Sequence, residues 1–208
     1  MADRGDLGRA WAATSPEETR QHYDVWAKTY DAENYGKGLR LPFIAAAFLA
    51  RHLPPGAGPV LDAACGTGLG GESLAALGYG PITGCDISAE MRAVARMHGV
   101  YAALEHADLT ALPFADDAFA GFLCAGAFGP GHAPPSALEE LARVTRPGGI
   151  GVFTLRDDTH AEQGFQPVMA RLAAEGRWRE REHTGPIRTF LLAEPDIFAR
   201  VVTVEILG

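Results

Sequence analysis

The chain has 208 residues and a formal net charge of −8, a size that suits one domain and leaves no room for two full ones. No stretch is rich in lysine or arginine, which argues against nucleic-acid binding, and the three cysteines lack zinc-site spacing, so neither a metal site nor a disulfide framework is expected. The charged first residues and the short apolar runs argue against a signal peptide and a membrane span, and predict a soluble, cytoplasmic protein.

The N-terminal part of the chain predicts two helices. Residues 1 to about 14 have no periodic pattern and are expected to be frayed. Residues 15–18 combine a capping serine, a proline at the first helical position and the glutamate of a capping box, so a helix is predicted to begin there. Its apolar face has the spacing i, i+3, i+4 and i+7, through Tyr23, Trp26, Ala27 and Tyr30. A second helix is predicted from Pro42 to about Leu53, where two prolines end it.

Apolar runs alternate with helical patterns in the rest of the chain. The runs typical of buried strands lie at about 58–64, 81–86, 101–107, 119–125 and 150–156. The helical stretches lie at about 69–77, 88–98, 136–145 and 162–176. This alternation predicts an α/β fold with a single doubly wound, mostly parallel sheet, and no helix is evident between the third and fourth strands. Residues 146–149 predict a turn into the fifth strand, and 178–183 and 201–207 predict an antiparallel pair at the sheet edge.

A glycine-rich loop follows the first predicted strand. Asp62 ends that strand, and Gly66, Gly68 and Gly71 open the next helix with the spacing G-x-G-x-x-G. Glycines allow a ligand to approach the backbone closely, and a helix N-terminus offers free N–H groups to an anion. Asp86 lies 20 residues after Gly66 (86 − 66), where a ribose-binding acid belongs. These features suit a dinucleotide, so an NAD- or FAD-dependent oxidoreductase is one hypothesis.

Three observations favour S-adenosylmethionine over a dinucleotide. A carboxylate at Asp62 would repel a pyrophosphate but attract a sulfonium ligand that carries an ammonium group. Asp108 ends the third predicted strand, 22 residues after Asp86 (108 − 86), and adds an acceptor for the exocyclic amine of adenine. About 58 residues precede the loop, whereas a dinucleotide fold usually begins near it. The sequence therefore predicts an S-adenosylmethionine-dependent methyltransferase that releases S-adenosylhomocysteine.

Four motifs carry a resemblance to a known family: DAACGTG, GCDIS, HADLTALPF and ELARVTRPGG. They look like those of the class I (seven-stranded, Rossmann-like) S-adenosylmethionine-dependent methyltransferases, and residues 23–31, 61–69 and 125–149 are similar to the Williams–Beuren syndrome region methyltransferase-like proteins. The resemblance implies strand order 3-2-1-4-5-7-6 with the last strand antiparallel. It also implies an N-terminal helical lid, residues 1–55, before a cofactor-binding domain, residues 56–208.

The candidate cofactor contacts each have a structural alternative. Asp86 is expected to accept hydrogen bonds from both ribose hydroxyls, or else to cap the helix that begins at Ser88. Gly66 and Gly68 are expected to contact the methionine part through their backbone, or else to serve the turn alone. The candidates for the adenine site are Asp108, Leu109, Ile87 and Met91. The alternative for Asp108 is a surface acid at a strand end, and the alternative for Met91 is packing in the core.

Ala64 stands where the broader family commonly has glycine, and its methyl group is expected to narrow the pocket slightly. Asp62 is expected to hold the amino group of the donor, or only to orient the loop. Within the implied lid, Tyr30 is a candidate for lining the methionine or substrate side, and Arg40 is a candidate partner for the donor's carboxylate.

Two further candidates follow the fourth predicted strand. Cys124 lies where the reactive methyl group is expected to point. His132 lies in the next loop and is a candidate general base, with an incidental loop position as the alternative.

The predicted reaction is an in-line SN2 transfer to an oxygen, nitrogen or carbon atom of a small-molecule acceptor. Such chemistry needs chiefly positioning and exclusion of water, so the absence of a catalytic triad or carboxylate pair from the sequence is compatible with it. A third hypothesis is a non-catalytic module that binds S-adenosylmethionine. No motif in the sequence identifies the acceptor or the oligomeric state.

Overall fold

A central sheet with helices on both faces is formed by residues 5–129, 131–158 and 164–208, which the computed structural model describes. The strands in these ranges are β1 (Val60–Ala63), β2 (Ile82–Asp86), β3 (Ala103–His106), β4 (Phe119–Phe128), β5 (Thr145–Arg156), β6 (Trp178–His183), β7 (Ile187–Arg188) and β8 (Phe198–Ile206). The helices are α1 (Gly5–Ala12), α2 (Pro16–Gly36), α3 (Leu41–Ala50), α4 (Leu69–Ala76), α5 (Ala89–Met97), α6 (Ala137–Arg143) and α7 (Phe165–Ala174). No helix among these residues is both long and apolar enough to cross a membrane.

The strand order of the sheet is β3-β2-β1-β4-β5-β8-β6, and β7 pairs with β8 beside this path. The first five strands in that order are parallel, whereas β8 is antiparallel to both β5 and β6. The expected order and the antiparallel last strand are therefore confirmed. The short strand β7 is an addition, because it inserts two residues between the predicted edge strands.

Buried side chains form a core on each face of the sheet. Successive residues of a strand point to opposite faces, so Val60 and Leu61 of β1, like Leu123 and Phe122 of β4, belong to different cores. One core includes α6 and α7, and the other includes α1 to α4. Strands that are covered on both faces need apolar residues throughout, which explains the continuous apolar runs in the sequence. Each fully buried leucine or phenylalanine stabilises the fold by roughly 1.5–3 kcal/mol relative to exposure.

The N-terminal segment differs from its prediction. Residues 5–12, which were expected to be frayed, form α1, because Leu7 is buried in the core that α2 and α3 also cover. Helix α2 begins as predicted, with Ser15 Oγ accepting the N–H of Glu18 at 3.3 Å. The Glu18 carboxylate, however, accepts from the N–H of Thr14 at 2.8 Å. The capping box thus reaches one residue further back than the pattern indicates.

The turn predicted at residues 146–149 lies inside β5 as a bulge. Thr145 pairs with Phe119, and Ile150 pairs with Gly121, so four residues of β5 stand opposite one residue of β4. Pairing on both sides of the bulge keeps the two strands in one sheet. Residues 107–118 contain no helix, in agreement with the sequence pattern.

Candidate functional site

A cavity of about 570 Å³ opens at the carboxyl ends of β1, β2 and β4. Open α/β sheets bind their ligands at this edge. The loops after the strands form its floor, and α2 with residues 13–15 forms its roof. The sequence-predicted candidates that line it are Tyr30, Ala64, Gly66, Asp86, Ile87, Met91, Asp108, Leu109 and His132.

The glycine loop turns through the left-handed region of backbone space. Gly66 has φ of +53°, and Ala64 has φ of +54° although it carries a side chain. For an L residue this conformation costs roughly 1–2 kcal/mol, which glycine avoids. The left-handed backbone gives a physical reason for a preference for glycine at position 64, and it places the methyl group of Ala64 on the cavity wall.

Asp86 joins the glycine loop to the end of β2. Its Oδ2 accepts the backbone N–H of Gly66, and its Oδ1 accepts that of Ser88, both at 2.9 Å. Burial raises the pKa of Asp86, while these two hydrogen bonds act in the opposite direction. The cap of α5 is Ser88, whose Oγ accepts the N–H of Met91 at 3.0 Å. Ser88, and not Asp86, therefore caps α5. The Asp86 carboxylate lies on the cavity wall.

An apolar slot with a carboxylate at its end lies beside Asp86. Ile87 and the buried Met91 form one part of its lining, and the buried Leu109 forms another. Asp108 is exposed, and its Oδ1 accepts from both the N–H and the hydroxyl of Thr110, at 2.8 and 2.7 Å. Both bonds use the same oxygen, so Oδ2 faces no competing donor among the described residues. The slot suits a flat heterocycle with an exocyclic amine.

Asp62 is not among the residues that line the cavity, and the ligand contact expected of it stays a prediction. Tyr101 donates its hydroxyl to Asp62 Oδ2 at 2.6 Å, and the backbone of Gly71 donates a second hydrogen bond. A Cβ at Gly70 would lie 2.6 Å from Asp62 Oδ1, so helix α4 packs directly on this carboxyl group. Burial raises the pKa of Asp62 to about 7, against the effect of those hydrogen bonds. The geometry agrees with the alternative reading, in which Asp62 orients the loop from behind.

Three more candidates lie outside the cavity. Arg40 is exposed, donates to the carbonyl of Leu39 at 2.6 Å and lies 5.7 Å from the ring of Tyr35. Cys124 is completely buried in the core. Gly68 caps the start of α4 with φ of +102°. None of the three lines the cavity, and the cofactor contacts expected of them stay predictions.

Gly68 has a packing role that explains its identity. A Cβ at this position would lie 3.1 Å from Ala95 Cα and 2.9 Å from the ring of His98. Helix α5 therefore approaches α4 more closely than a side chain allows. Glycine is required here by both the backbone conformation and the contact.

Two hydrogen bonds fasten the roof to the floor of the cavity. Ser88 donates its hydroxyl to Asp24 Oδ1, and Thr67 donates its hydroxyl to Asp31 Oδ1, each at 2.6 Å. Sequence reasoning missed both acids. Their seven-residue separation on α2 places them on one face of the helix, a signal that could have identified them.

Tyr23, which the sequence places on the apolar face of its helix, also reaches the cavity. Its hydroxyl lies 2.7 Å from His132 Nε2, and both residues line the cavity. Burial raises the pKa of Tyr23 well above its usual range, so the hydroxyl stays protonated. Trp26 is buried as expected for a packing residue, with its ring 4.7 Å from that of Tyr30. His132 therefore has the orienting partner that its sequence context does not reveal.

A second cavity of about 90 Å³ adjoins the first and shares five lining residues with it: Tyr23, Tyr30, Ala125, Gly126 and His132. It extends towards the carboxyl end of β5 and the segment between β7 and β8. Residues of α1 and of the start of α3 complete its lining. The two cavities together form one cleft with a large and a small compartment.

Comparisons with known proteins agree on one family. Residues 61–153 match the family described as "Methyltransferase domain". The chain is 34% identical over 163 residues to methyltransferase-like protein 27 of Homo sapiens, covering 75% of this chain and 66% of the relative. It is 36% identical over 143 residues to the ubiquinone/menaquinone biosynthesis C-methyltransferase UbiE of Bdellovibrio bacteriovorus, covering 65% and 60%. The chain thus spans slightly less than two thirds of the length of these relatives.

The fold is also found among solved structures. The 1,6-didemethyltoxoflavin-N1-methyltransferase of Burkholderia thailandensis, solved with bound 1,6-didemethyltoxoflavin and S-adenosylhomocysteine, superposes with a TM-score of 0.66. The superposition covers 94% of this chain and 92% of that one at 17% identity. At this identity the likeness concerns the fold alone.

Proposed function

This chain belongs to the class I, Rossmann-like S-adenosylmethionine-dependent methyltransferases, and we propose that it transfers the methyl group of S-adenosylmethionine to a small-molecule acceptor. The position of Asp86 carries this proposal. Its carboxylate lies on the wall of the larger cavity and is tied to the glycine loop at Gly66. An acid at that place suits the two hydroxyls of a ribose, which donate to a carboxylate in a charge-assisted pair.

The larger cavity fits the remaining parts of this donor. The slot beside Met91 and Leu109 suits adenine, with Asp108 Oδ2 as the acceptor for the exocyclic amine. The left-handed backbone at Ala64 and Gly66 opens the loop towards the methionine part. Bound in this way, S-adenosylmethionine would supply an electrophilic methyl group on its sulfonium. All other tasks fall to the residues of the protein.

The protein's main contribution would be orientation and exclusion of water. The roof formed by α2 is held by Asp24 and Asp31, so it can close the cavity over a bound donor. Holding two reactants in line can remove roughly 7–11 kcal/mol of a barrier. The bond from the acceptor to the methyl carbon forms as the sulfur–carbon bond breaks, and an acceptor that carries a proton must lose it.

His132 is the proposed recipient of that proton. It lines both compartments of the cleft, and its Nε2 lies 2.7 Å from the hydroxyl of Tyr23. A protonated Tyr23 can hold the imidazole ring in one orientation. Acceptors that ionise without help would not need this residue.

The dinucleotide hypothesis must be tested directly. Because Asp62 is turned into the protein, its charge no longer argues against a pyrophosphate in the cavity. The choice of S-adenosylmethionine over a dinucleotide therefore rests on family membership. Titration calorimetry with S-adenosylhomocysteine and with NAD separates the two, since we expect heat of binding from the first alone. Tight NAD binding without S-adenosylhomocysteine binding would reject the proposal.

The acceptor class rests on charge and on the relatives. The net charge of −8 disfavours nucleic acid, and the Bdellovibrio relative is named for quinone biosynthesis.

We also propose a cytoplasmic location and a functional division near residue 55 between the lid and the cofactor-binding domain. A non-catalytic binding module is the competing proposal. Retained S-adenosylhomocysteine binding without methyl transfer to any member of a broad metabolite panel would favour that module.

A further inference from the structure

We propose that the smaller compartment of the cleft binds the acceptor, and that Arg156 and Thr189 select an apolar acceptor that carries a carboxylate. This inference rests on the proposed function, because it assumes that the larger compartment holds the methyl donor. The smaller compartment lies beyond Ala125 and Gly126, at the carboxyl end of β4, and has a volume of about 90 Å³. That space suits one small ring or a short branched chain.

Most of the lining of this compartment is apolar. The large apolar side chains in this lining include those of Leu7, Trp11, Leu41, Phe128, Phe190 and Ile197. They come from α1, α3, β4 and the segment around β7, so the surface forms only in the folded chain. An acceptor that fits here needs an apolar body.

Two polar atoms interrupt that apolar surface. Arg156 Nη1 and Thr189 Oγ1 are both buried, and neither has a hydrogen-bond partner among the described residues. Burying a donor without a partner costs free energy, and native structures normally avoid it. Both residues line the smaller compartment. Ligand oxygens within hydrogen-bond reach of these atoms would satisfy them.

Several other polar side chains of the compartment already have hydrogen-bond partners. Asn34 donates its amide to the carbonyl of Tyr30 at 2.8 Å, and Thr154 accepts the N–H of Gly126 at 2.8 Å. His132 pairs with Tyr23. The unsatisfied atoms of Arg156 and Thr189 therefore define where a polar group of the acceptor fits.

The guanidinium of Arg156 is held in one place. Its Nε donates to Asp158 Oδ1 at 2.9 Å, its Nη2 pairs with Asp158 Oδ2, and its Cζ lies 3.9 Å from the centroid of the Trp11 ring. Two of the three nitrogens are thus used for positioning, and the third faces the compartment. Asp158 is 44% exposed, so water screens its charge better than it screens the buried Nη1. A fixed guanidinium in an apolar surface favours an anionic oxygen over a neutral one.

Matched pairs of small ligands test this preference. The protein is first saturated with S-adenosylhomocysteine and then titrated with benzoate, phenylacetate and cyclohexanecarboxylate, and with the three corresponding amides. Calorimetry and Trp fluorescence report binding, since Trp11 lies against Arg156. We expect each carboxylate that fits to bind at least tenfold more tightly than its amide. Equal affinities within all pairs, or no carboxylate binding at millimolar concentration, would overturn the inference.

Three variants assign the preference to these residues. Arg156→Met is expected to abolish the difference between carboxylate and amide, and Thr189→Val, which is nearly isosteric, to weaken carboxylate binding severalfold. Asp158→Asn is expected to tighten carboxylate binding, because it removes the competing negative charge, and structural damage would not produce tighter binding. Arg179→Met is the control, since Arg179 is 56% exposed and pairs with Glu205 on β8. An Arg156→Met protein that keeps its preference would refute the assignment.

Failure of this inference is separable from failure of the proposed function. Absence of S-adenosylhomocysteine binding in the first step would reject the proposed function. Normal binding of S-adenosylhomocysteine without any preference for carboxylates would reject the acceptor inference alone.

Discussion

The hydroxyl of Ser88 donates a hydrogen bond to Asp24 Oδ1 at 2.6 Å while it accepts one from the N–H of Met91 at 3.0 Å. One side chain therefore caps α5 and fastens α2 across the mouth of the cavity. Asp24 also accepts from Arg20 at 2.5 Å, which fixes the carboxylate on α2. The attachment of the roof and the shape of the cavity beside Asp86 thus depend on the same contact.

Replacement of Asp24 by alanine is expected to loosen the roof without unfolding the sheet. The loss of a charge-assisted hydrogen bond costs roughly 1.5–3 kcal/mol, which corresponds to about 10- to 100-fold more frequent opening. Hydrogen exchange should therefore become faster in residues 16–36 and stay unchanged in β1. Asp6→Ala is the control, because Asp6 pairs with Arg9 on α1. Unchanged exchange in α2 would show that this contact does not hold the roof.

Asp86→Ala is expected to weaken the binding of S-adenosylhomocysteine by roughly 1.5–3 kcal/mol, or about 10- to 100-fold, because the ribose hydroxyls lose a charged acceptor. Titration calorimetry measures the change. Glu90→Ala serves as the matched control, since Glu90 is an exposed acid in the first turn of the adjacent helix α5. An affinity equal to that of the unmodified protein would contradict the ribose assignment.

The buried carboxyl of Asp62 predicts a pH-dependent stability. Burial raises its pKa from 3.8 to about 7, so between these values the folded protein holds a proton that the unfolded chain releases. Stability from this group is therefore present at low pH and is lost as the pH rises, by up to roughly 1.4 kcal/mol per pH unit. Urea unfolding of the protein and of Asp62→Asn, which cannot titrate, isolates the effect. A difference between the two that is constant from pH 4 to 7 would disprove the assigned shift.

Gly68→Ala is expected to destabilise the fold by roughly 2–4 kcal/mol, the sum of a left-handed backbone and an overpacked contact. The new Cβ would lie 3.1 Å from the backbone of Ala95, which cannot move without displacing α5. Urea unfolding measures the loss. Gly185→Ala is the control, because a Cβ at Gly185 meets no atom within 4 Å. Similar stabilities for the two variants would remove the packing explanation.

His132→Gln is expected to slow methyl transfer to acceptors that must lose a proton, while the affinity for S-adenosylhomocysteine stays the same. The removal of a positioned general base typically costs about 10²–10⁴-fold in rate. An unchanged rate of methyl transfer to such an acceptor would exclude His132 as the base.

The main features of the site could be predicted because their signals are local. Gly66 follows a strand end within a few residues, and Asp86 ends the next strand. Parallel strands place their carboxyl ends at one edge, so two such ends are neighbours in space without further information. The order of the sheet followed from the family resemblance. The short strand β7 did not, because two residues have no recognisable pattern.

The direction of individual side chains could not be predicted in the same way. Asp62 was expected to meet a ligand, yet it pairs with Tyr101, which lies 39 residues away in the chain. Arg40 was expected to reach the donor, yet it is exposed and lies beside Tyr35. Charge and position along a strand indicate that a group is polar. They do not indicate which neighbour satisfies it.

By itself the sequence determined the fold class and identified the edge of the sheet where the cavity lies, with Asp86 on its wall, because periodicity, glycine spacing and strand ends depend on neighbours along the chain. Only the tertiary structure decided the rest. It brought Asp24 to Ser88, placed Tyr23 beside His132, and set Arg156 and Thr189 around one small compartment. These contacts join distant segments, so they exist only once α1, α2 and the last strands pack on the sheet.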